Sequence, residues 1–451
     1  MKKLKLTKSQ EESINDMITF IDSGHPNSWF MLEGKAGVGK TTVLIELMME
    51  YNGQLNVIAC AISHKAKSVL ADKAKPYLDK NKKNNTIRFH SVAGLLGMRF
   101  DESTGEFVYE KSYNIMRPID MADIIIVDEA SMIDEKTLKL IFNNKKHNAK
   151  VIFSGDQGQL PPIREIDSDE VSPTFNTVYK YNLYERLRQG EESPILPYSD
   201  YYWNSVIENI NYTINIPRVN SFTENGNLYF GDRQHVVDNS IEVFKRSIDE
   251  KNINLIKIVC YRNDTRRSIN EYIRQGLYEN PKEYEIGDIL MLQDNYEIDE
   301  YNIIENSTEL QVISSKRYET VLEGEPIIAY KLTVDYEIMK GCNAVLTVIA
   351  KESKDDYDRI LTYLFDKAKR AEMNSRERSN GFRLAYKVMH KYASLDYAYA
   401  ITSHKAQGST YKCVIAYEKD IMGVKMTSDR TKMRSMYTAI TRASNTCIIM
   451  N

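Results

Sequence analysis

The sequence predicts an α/β protein built on parallel, doubly wound sheets, with two smaller insertions. Short apolar runs rich in β-branched residues alternate with stretches of helical periodicity, and each run ends in a small or polar residue. That alternation is typical of βαβ units, in which helices cover both faces of a parallel sheet. The chain has 451 residues, more than one ordinary core holds, so we expect about two to four domains.

Composition narrows the class of protein. The chain is 42% hydrophobic and 27% charged, with a net charge of −3, which is typical of an ordinary globular protein. The five cysteines lie far apart and form no CxxC pair, so the sequence predicts neither a zinc site nor a disulfide framework. No apolar run approaches the length of a membrane span. We therefore expect a cytoplasmic protein without a membrane partner, whose anion-binding surfaces are local grooves.

The first predicted domain covers 1–97 and 114–182. Its first strand is the apolar run SWFMLEG at 28–34, which precedes the helical stretch TTVLIELMMEYN. The runs LNVIACAIS, IIIVDEA and AKVIFSGD follow, and they indicate buried strands because they are compact and β-branched. Within this domain the segment 98–113 has an STGE centre between β-forming residues, which predicts a hairpin insertion.

The second predicted domain covers 183–286 and 395–451. Its buried strands are INLIKIVCY at 253–261 and CVIAYE at 413–418. A large insertion, 287–394, separates its two parts. The first part of the insertion consists of β-rich runs with turn signals between them, which predict a small β-barrel, and the rest is charged, rich in tyrosine and helical.

One motif predicts a phosphate-binding loop. GKAGVGKTT at 34–42 has the pattern Gly-x4-Gly-Lys-Thr, and it follows a predicted strand and opens a predicted helix. The glycines allow backbone N–H groups to close on a phosphate chain, and the helix N-terminus adds its dipole. In this pattern Lys40 reaches the β and γ phosphates. The predicted cofactors are ATP and Mg²⁺, and the predicted ligands in the loop are Gly34, Gly37, Gly39, Lys40, Thr41 and Thr42.

Two further strand ends complete the predicted ATPase site. IIIVDEASM at 124–132 supplies Asp128, which holds Mg²⁺ together with Thr41, and Glu129, which orients and deprotonates the attacking water. Kinases with such a loop usually lack the glutamate, so the pair favours hydrolysis over transfer to a small acceptor. VIFSGDQGQLPPI at 151–163 supplies Gln159, which we expect to reach the γ phosphate.

Arg442 is a predicted buried cation without a local partner. In MYTAITRAS, at 436–444, it stands among small and apolar residues that are typical of a packed helix face. An arginine is almost never fully buried without a partner, and no acidic residue lies within a few positions of this one. Its partner therefore comes from a distant segment or from a ligand.

In combination, these motifs resemble those of superfamily 1 helicases. GKAGVGKT, DEAS and GDxxQLPPI occur in the order of that family, and the likeness is closest to its RecD/Dda branch, which moves 5′→3′ and includes the Dda-type helicases of T-even phages. The resemblance implies two RecA-like motor domains that face each other across the nucleotide. Arg442 then meets the γ phosphate held by Lys40. The resemblance also implies that 98–113 is a strand-splitting pin and that 287–394 contains an SH3-like barrel.

Further segments resemble the remaining motifs of that branch. TKSQEESI at 7–14 is similar to the adenine motif and implies that Gln10 reads the base. LYERLRQ at 183–189 implies a second catalytic arginine at Arg188, with Arg186 as the competing assignment. SHKAQGST at 403–410 implies nucleotide contacts at Gln407 and Gly408, and YTAITRA at 437–443 is similar to the last motif.

The same resemblance implies a strand of nucleic acid gripped by both domains through phosphate contacts and stacking. The first-domain candidates are Ser63, His64, Lys65, His90 and Ser91. Those of the second domain are Arg262, Asn263, Thr402, His404 and Lys405. In the pin, Phe107 or Tyr109 is the candidate that stacks on the first base pair. For the neighbouring Arg266 and Arg267 we favour an ordinary solvated helix face.

The predicted function is an ATP-dependent 5′→3′ DNA helicase in replication, recombination or repair, of phage origin. Its expected partners are single-stranded DNA, tailed duplex DNA, and single-strand-binding or replisome proteins, and we expect a monomer. Two alternatives stay open: an RNA helicase or protein-displacing translocase with the same motor, and a nucleotide-gated nucleic-acid clamp.

Overall fold

The computed structural model describes most of the chain. The described ranges are 6–23, 25–62, 64–78, 85–101, 106–108, 116–162, 171–187, 192–208, 218–298, 303–336, 343–371, 376–425 and 427–451. For 64, 65, 99–101 and 106–108 only the backbone is described. Within these ranges, no helix combines the length and the apolar character that crossing a membrane would need.

The first part of the chain forms alternating helices and strands. In chain order they are α1 Lys8–Asp22, β1 Trp29–Gly34, α2 Lys40–Tyr51, β2 Val57–Ala61, α3 His64–Ala74, β3 Ile87–Ser91, α4 Val92–Leu96, β4 Arg99–Asp101, β5 Glu106–Val108, α5 Pro118–Met121, β6 Ile124–Asp128, α6 Glu135–Asn144, β7 Lys150–Gly155 and β8 Lys180–Leu183. Six of these strands form one parallel sheet in the order β3-β2-β6-β7-β1-β8. The predicted parallel sheet is thereby confirmed.

This sheet brings the predicted catalytic segments to one edge. β1, β6 and β7 are neighbours in the sheet order and run parallel, so their carboxyl ends lie side by side. The phosphate loop follows β1, the acidic pair ends β6, and the glutamine segment follows β7. The strands are buried because apolar side chains cover both faces of the sheet, as in other parallel sheets.

The second sheet combines two distant parts of the chain. Its first elements are α7 Ile195–Glu208, β9 Ser221–Thr223, β10 Gly226–Gly231, α8 Arg233–Asp249, β11 Ile256–Cys260 and α9 Asn263–Leu277. Three further strands come from the C-terminal part of the chain: β19 Ala400–Thr402, β20 Tyr411–Tyr417 and β21 Ala443–Met450. The strand order is β19-β11-β20-β21-β10-β9. Every neighbouring pair is parallel except β9 with β10. The sequence analysis identified no strand at β9 or β10.

The inserted segment forms an antiparallel sheet with a helical pair. Its elements are β12 Ile289–Leu292, β13 Tyr296–Glu297, β14 Ile303–Ile304, β15 Glu309–Leu322, β16 Glu325–Tyr336, β17 Asn343–Ile349, α10 Lys354–Arg370, α11 Arg376–Lys391 and β18 Leu395–Tyr397. The sheet order is β17-β16-β15-β12-β18. The remaining elements of the second domain are α12 Ser403–Ala406, α13 Glu418–Met422 and α14 Asp429–Thr441.

The other predicted insertion contains two short strands. β4 and β5 pair antiparallel, with Phe100 opposite Phe107. The residues between these strands and the segment 109–115, including Tyr109, lie outside the described residues. The pin function and the domain limits therefore stay predictions.

Candidate nucleotide site and nucleic-acid surface

A cleft of about 540 Å³ lies between the two parallel-sheet domains. Both domains line it, and its lining contains most of the predicted nucleotide residues. These are Gly37, Gly39, Lys40, Thr41, Thr42, Asp128, Glu129, Gln159, Gly408 and Arg442. Residues predicted from motifs more than 400 positions apart in sequence therefore share one cavity.

The phosphate loop connects β1 to α2 in a conformation that requires glycine. Gly37 and Gly39 have φ of 89° and 85°, a left-handed region in which side chains are disfavoured. A Cβ on Gly39 would also lie 2.4 Å from the Gln10 amide nitrogen. Lys40 is buried, and its Nζ donates to the carbonyls of Gly34 at 2.6 Å and Lys35 at 3.2 Å. Its cationic end therefore lies against the loop that would receive a phosphate.

The predicted metal ligands are in contact. The Thr41 hydroxyl donates to Asp128 Oδ2 at 3.1 Å, and Asp128 Oδ1 accepts from the Glu129 N–H at 3.0 Å. A hydroxyl and a carboxylate oxygen are donors of the kind that Mg²⁺ prefers. The donor set thus fits a magnesium ion that would also bind the phosphates of a nucleotide.

Glu129 is held in a strained and poorly solvated position. Its φ is +54°, which is uncommon for a residue with a side chain and frequent at functional sites. Burial and the charge of Asp128 raise the pKa of the Glu129 carboxyl, while the positive charge of Arg442 lowers it. Glu129 Oε2 and Gln159 Oε1 are buried, and neither has a hydrogen-bond partner among the described residues. Two such acceptors in one polar cleft fit a ligand or a reacting water molecule that donates hydrogen bonds to them.

Arg442 is buried as predicted, with 2% of its surface exposed. It is the C-cap of α14, and within the described part of the chain its guanidinium donates to neutral oxygens. These are the carbonyls of Thr438 at 3.1 Å and Ser409 at 3.4 Å and the hydroxyl of Thr441 at 3.3 Å. No carboxylate within the described part of the chain forms an ion pair with it. A buried cation that lines the cleft and has no carboxylate within ion-pair distance among the described residues fits an anionic ligand.

Three other predicted nucleotide contacts do not line this cleft. The Gln10 amide caps α1 by accepting from the Thr7 N–H at 3.0 Å, and it donates to the Val38 carbonyl at 3.2 Å. Gly34 accepts from Lys40, and the Gln407 amide nitrogen lies 3.5 Å from the Ser131 hydroxyl. Arg188 lies outside the described residues.

The sequence analysis did not single out a set of polar contacts between the domains. Tyr437 and Asp156 stand within quoted motifs, yet only the structure joins them, by a hydrogen bond of 2.6 Å. Trp203 of α7 also donates to Asp156, at 2.9 Å. Within the second domain, Arg186, the competing assignment for the second arginine, forms an ion pair with Asp200 of α7. Trp203 and Asp200 lie in no quoted motif, and no local pattern indicated the partners of the residues that do.

A buried ion pair flanks the cleft on the side of the insertion. Lys257 Nζ lies 2.6 Å from Glu309 Oε2, and both side chains are almost fully buried. The Tyr411 hydroxyl donates to the same carboxylate at 2.7 Å. Because Glu309 starts β15 and lines the cleft, the inserted sheet reaches the candidate nucleotide site directly.

Several first-domain candidates for nucleic-acid binding lie outside the described part of the chain. This holds for Ser63 and for the side chains of His64, Lys65 and Phe107. Ser91 caps α4 by accepting from the Gly94 N–H at 3.1 Å. His90 is half-buried, and burial together with the nearby cations lowers its pKa.

Two of the second-domain candidates, Arg262 and Thr402, have local structural partners. Arg262 Nε donates to Asp420 at 2.6 Å, and Thr402 caps α12 by accepting from the Lys405 N–H at 3.4 Å. Asn263, the first residue of α9, is exposed. The His404 ring packs edge-on against an aromatic ring, with no partner for Nε2 in the described region. Burial lowers the pKa of His404.

Two basic side chains contact one loop of the insertion. Lys405 Nζ donates to Asn306 Oδ1 and Ser307 Oγ, each at 3.0 Å, and Lys67 of α3 forms an ion pair with Glu305. The loop 305–307 therefore contacts both motor domains beside the predicted strand-binding segments. The expectation of a solvated Arg266 was wrong: this side chain is buried and pairs with Asp396 at 2.7 Å, because α9 packs against the end of the inserted sheet.

Comparisons with known protein families agree with the geometry. A family model described as an AAA domain matches residues 5–193, and one described as a UvrD-like helicase C-terminal domain matches residues 397–450. An uncharacterised protein of Acanthamoeba polyphaga mimivirus is 26% identical, over 96% of this chain and 97% of that protein. The ATP-dependent DNA helicase dda of Enterobacteria phage T4 is 23% identical, over 65% of this chain and 63% of that protein.

Solved structures share the fold over the whole length. The Candida albicans Pif1 helicase has a TM-score of 0.51 and 14% identity, covering 100% of this chain and 95% of that chain. The Bacteroides Pif1 helicase in complex with ADP-AlF3 and single-stranded DNA has a TM-score of 0.52 and 17% identity, covering 99% and 92%. These likenesses concern the fold, and the family matches and the dda helicase confirm the resemblance that the motifs indicate.

Proposed function

We propose that this chain, an ATP-driven DNA helicase of the superfamily 1 RecD/Dda type, moves 5′→3′ along single-stranded DNA and opens duplexes ahead of it. The observation that carries the proposal is the shared cleft: Lys40 and Glu129 of the first domain and Arg442 of the second line one cavity. In such a cavity, binding of a nucleotide draws the two domains together.

Each residue of the cleft has a distinct task in the proposed reaction. Lys40 binds the phosphates, and Glu129 orients a water molecule and accepts its proton. Arg442 and Gln159 contact the γ phosphate, and the arginine stabilises the charge that develops there. Thr41 and Asp128 would hold Mg²⁺, which supplies charge neutralisation on the phosphate oxygens. Arg188 and Gln10 are proposed to assist as the second arginine and the base-reading residue.

Loss of the γ phosphate removes the bridge between the domains and lets the cleft reopen. A strand held alternately by the two domains then advances in steps. We propose that the grip uses the His-Lys pairs at the starts of α3 and α12, together with His90, Ser91, Arg262 and Asn263. The inserted antiparallel sheet would act as the SH3-like barrel of this branch and the β4–β5 segment as the pin, with Phe107 or Tyr109 against the first base pair.

The proposed biological setting is replication, recombination or repair of DNA in the cytoplasm, which is the host cytoplasm for a phage protein. The match to a phage helicase supports this setting. Single-strand-binding or replisome proteins are the proposed partners, and a monomer is the proposed active unit, since both halves of the cleft come from one chain.

The test is unwinding by the purified protein with ATP and Mg²⁺, on duplexes that carry either a 5′ or a 3′ single-stranded tail. We expect unwinding from the 5′ tail alone, and its loss in Lys40→Ala. Unwinding only from the 3′ tail would overturn the polarity. DNA-stimulated ATPase without unwinding would indicate a translocase that displaces proteins, and preference for an RNA tail would indicate an RNA helicase. ATP binding without turnover on either tail would indicate a clamp.

A further inference from the structure

One phenol hydroxyl connects the phosphate loop to the second domain. The Tyr437 hydroxyl accepts a hydrogen bond from the Ala36 N–H at 2.9 Å and donates one to Asp156 Oδ2 at 2.6 Å. Ala36 belongs to the phosphate loop, Asp156 follows β7, and Tyr437 lies on α14. Tyr437 is 1% exposed, so neither bond is replaced by water while the domains are closed.

The Asp156 carboxylate is itself fixed by both domains. Its Oδ1 accepts from Trp203 Nε1 and from the Gly158 N–H, each at 2.9 Å, and Asp156 is 1% exposed. A Cβ on Gly158 would lie 2.2 Å from the Trp203 ring, so the indole packs directly on this backbone. A buried carboxylate with three donors is well satisfied, and two of its donors come from the second domain.

A second contact holds the same part of the phosphate loop. Lys35 Nζ lies 2.5 Å from Asp200 Oδ1 and 4.2 Å from the centre of the Trp203 ring. Both partners lie on α7. Consecutive loop residues, Lys35 and Ala36, are therefore held by two different helices of the second domain.

We propose that Tyr437 is a positioning residue. It fixes the distances between the phosphate loop, the Gln159 segment and Arg442. Arg442 lies five residues after Tyr437, about 7.5 Å further along the helix axis. Gln159 lies three residues after Asp156, and its N–H donates to the Asp156 carbonyl at 3.1 Å. One hydroxyl thus links the loop that receives the phosphates to both residues that meet the γ phosphate. This inference rests on the proposed ATPase function of the cleft.

The chemical consequence is a change in turnover rather than in binding. Without the hydroxyl, the phosphate loop and its Lys40 stay intact, so nucleotide affinity is retained. Arg442 loses its fixed distance from the loop, and misplacement of a catalytic group by about 1 Å costs on the order of 10²-fold in rate. Asp156 keeps its two other donors, which limits the damage to the fold.

The test compares Tyr437→Phe with Tyr399→Phe as a matched control. Tyr399 is also a buried tyrosine, and its hydroxyl donates at 2.9 Å to the carboxylate of Asp288, at the start of the insertion, and neither residue lines the cleft. We expect Tyr437→Phe to lower kcat of the DNA-stimulated ATPase about ten- to hundredfold, with the affinity for a fluorescent ATP analogue unchanged. Tyr399→Phe should lower Tm without lowering kcat.

A double-mutant cycle tests whether the Asp156 bond carries the effect. Asp156→Asn replaces the acceptor that faces the tyrosine with an amide N–H₂, so the loss in Tyr437→Phe and the loss in Asp156→Asn should not add. Additive losses, or a wild-type kcat in Tyr437→Phe, would overturn the inference, and so would an equal fall in Tyr399→Phe. Failure of the proposed function is separate: it would appear as a wild-type protein without Lys40-dependent ATPase.

Discussion

The Thr41 hydroxyl donates a 3.1 Å hydrogen bond to the carboxylate of Asp128, which lies 87 positions later in the sequence. The bond joins the first turn of α2 to the end of β6. It holds the two oxygens close enough to share one cation. The two residues that the sequence analysis assigned to Mg²⁺ therefore contact each other, as two ligands of one ion require.

Asp128→Asn should raise the Mg²⁺ concentration that half-saturates the ATPase, by at least about tenfold, because one ligand loses its charge. The measurement is ATPase rate against Mg²⁺ at constant ATP. Asp123→Asn is the control, since Asp123 lies just before the opposite end of β6 and pairs with Lys146 at 2.8 Å. An unchanged Mg²⁺ requirement in Asp128→Asn would contradict the assignment of the metal site.

As the pH is lowered, the ATPase rate should begin to fall at a pH above 4.5, the ordinary pKa of glutamate. Burial raises the pKa of Glu129, and this residue must be ionised to act as a base. The same shift affects stability. A carboxyl whose folded pKa is raised destabilises the fold above that folded pKa, and the cost disappears below 4.5. Glu129→Gln should therefore abolish turnover and yet raise Tm at neutral pH.

The control for that stability change is Glu135→Gln, since Glu135 is exposed on α6 and pairs only with Lys139 within the described residues. Its Tm should stay within about 1 °C of the wild type. The gain from Glu129→Gln should shrink as the pH falls toward 4.5. A gain that is independent of pH would mean that relief of packing, rather than the buried charge, is responsible.

Arg442→Gln should lower kcat on the order of 10³-fold, since this side chain is proposed to stabilise charge on the transferred phosphoryl group. Stability should change little, because its partners in the structure are neutral oxygens.

Arg266→Gln should do the opposite. It breaks the pair with Asp396 and should lower the free energy of unfolding by about 1–3 kcal/mol, with kcat retained. Thermal melts and steady-state kinetics on both variants separate the two roles, and a falling Tm with normal kcat in Arg442→Gln would assign Arg442 to structure.

Lys405→Gln should weaken binding of single-stranded DNA and lower the slope of log affinity against log salt by about 0.7, the value for one lost phosphate contact on a single strand. Binding is measured by fluorescence anisotropy over a salt series. Lys419→Gln, an exposed lysine on α13 of the same domain, should leave the slope unchanged. If the wild type, Lys405→Gln and Lys419→Gln had the same salt slope, Lys405 would serve to hold the loop 305–307 and would not contact a DNA phosphate.

Part of this site could be predicted because its requirements are local. The phosphate loop needs glycines at positions with positive φ, and Gly37 and Gly39 adopt that conformation. The acidic pair follows a run of buried β-branched residues, which the strand period reveals without any partner. The two short strands β9 and β10 were missed because β10 is only half-buried and β9 is an edge strand, so neither forms a continuous apolar run.

The sequence by itself determined the parallel first sheet, the phosphate loop, the acidic pair and the burial of Arg442, since each depends on the spacing of neighbouring residues. Only the tertiary structure decided which distant side chains meet. It joined Tyr437 to Ala36 and Asp156, paired Arg266 with Asp396, and brought Lys67 and Lys405 to one loop of the insertion. Such contacts depend on how whole helices and sheets pack, and residues that are hundreds of positions apart carry no local pattern that records the packing.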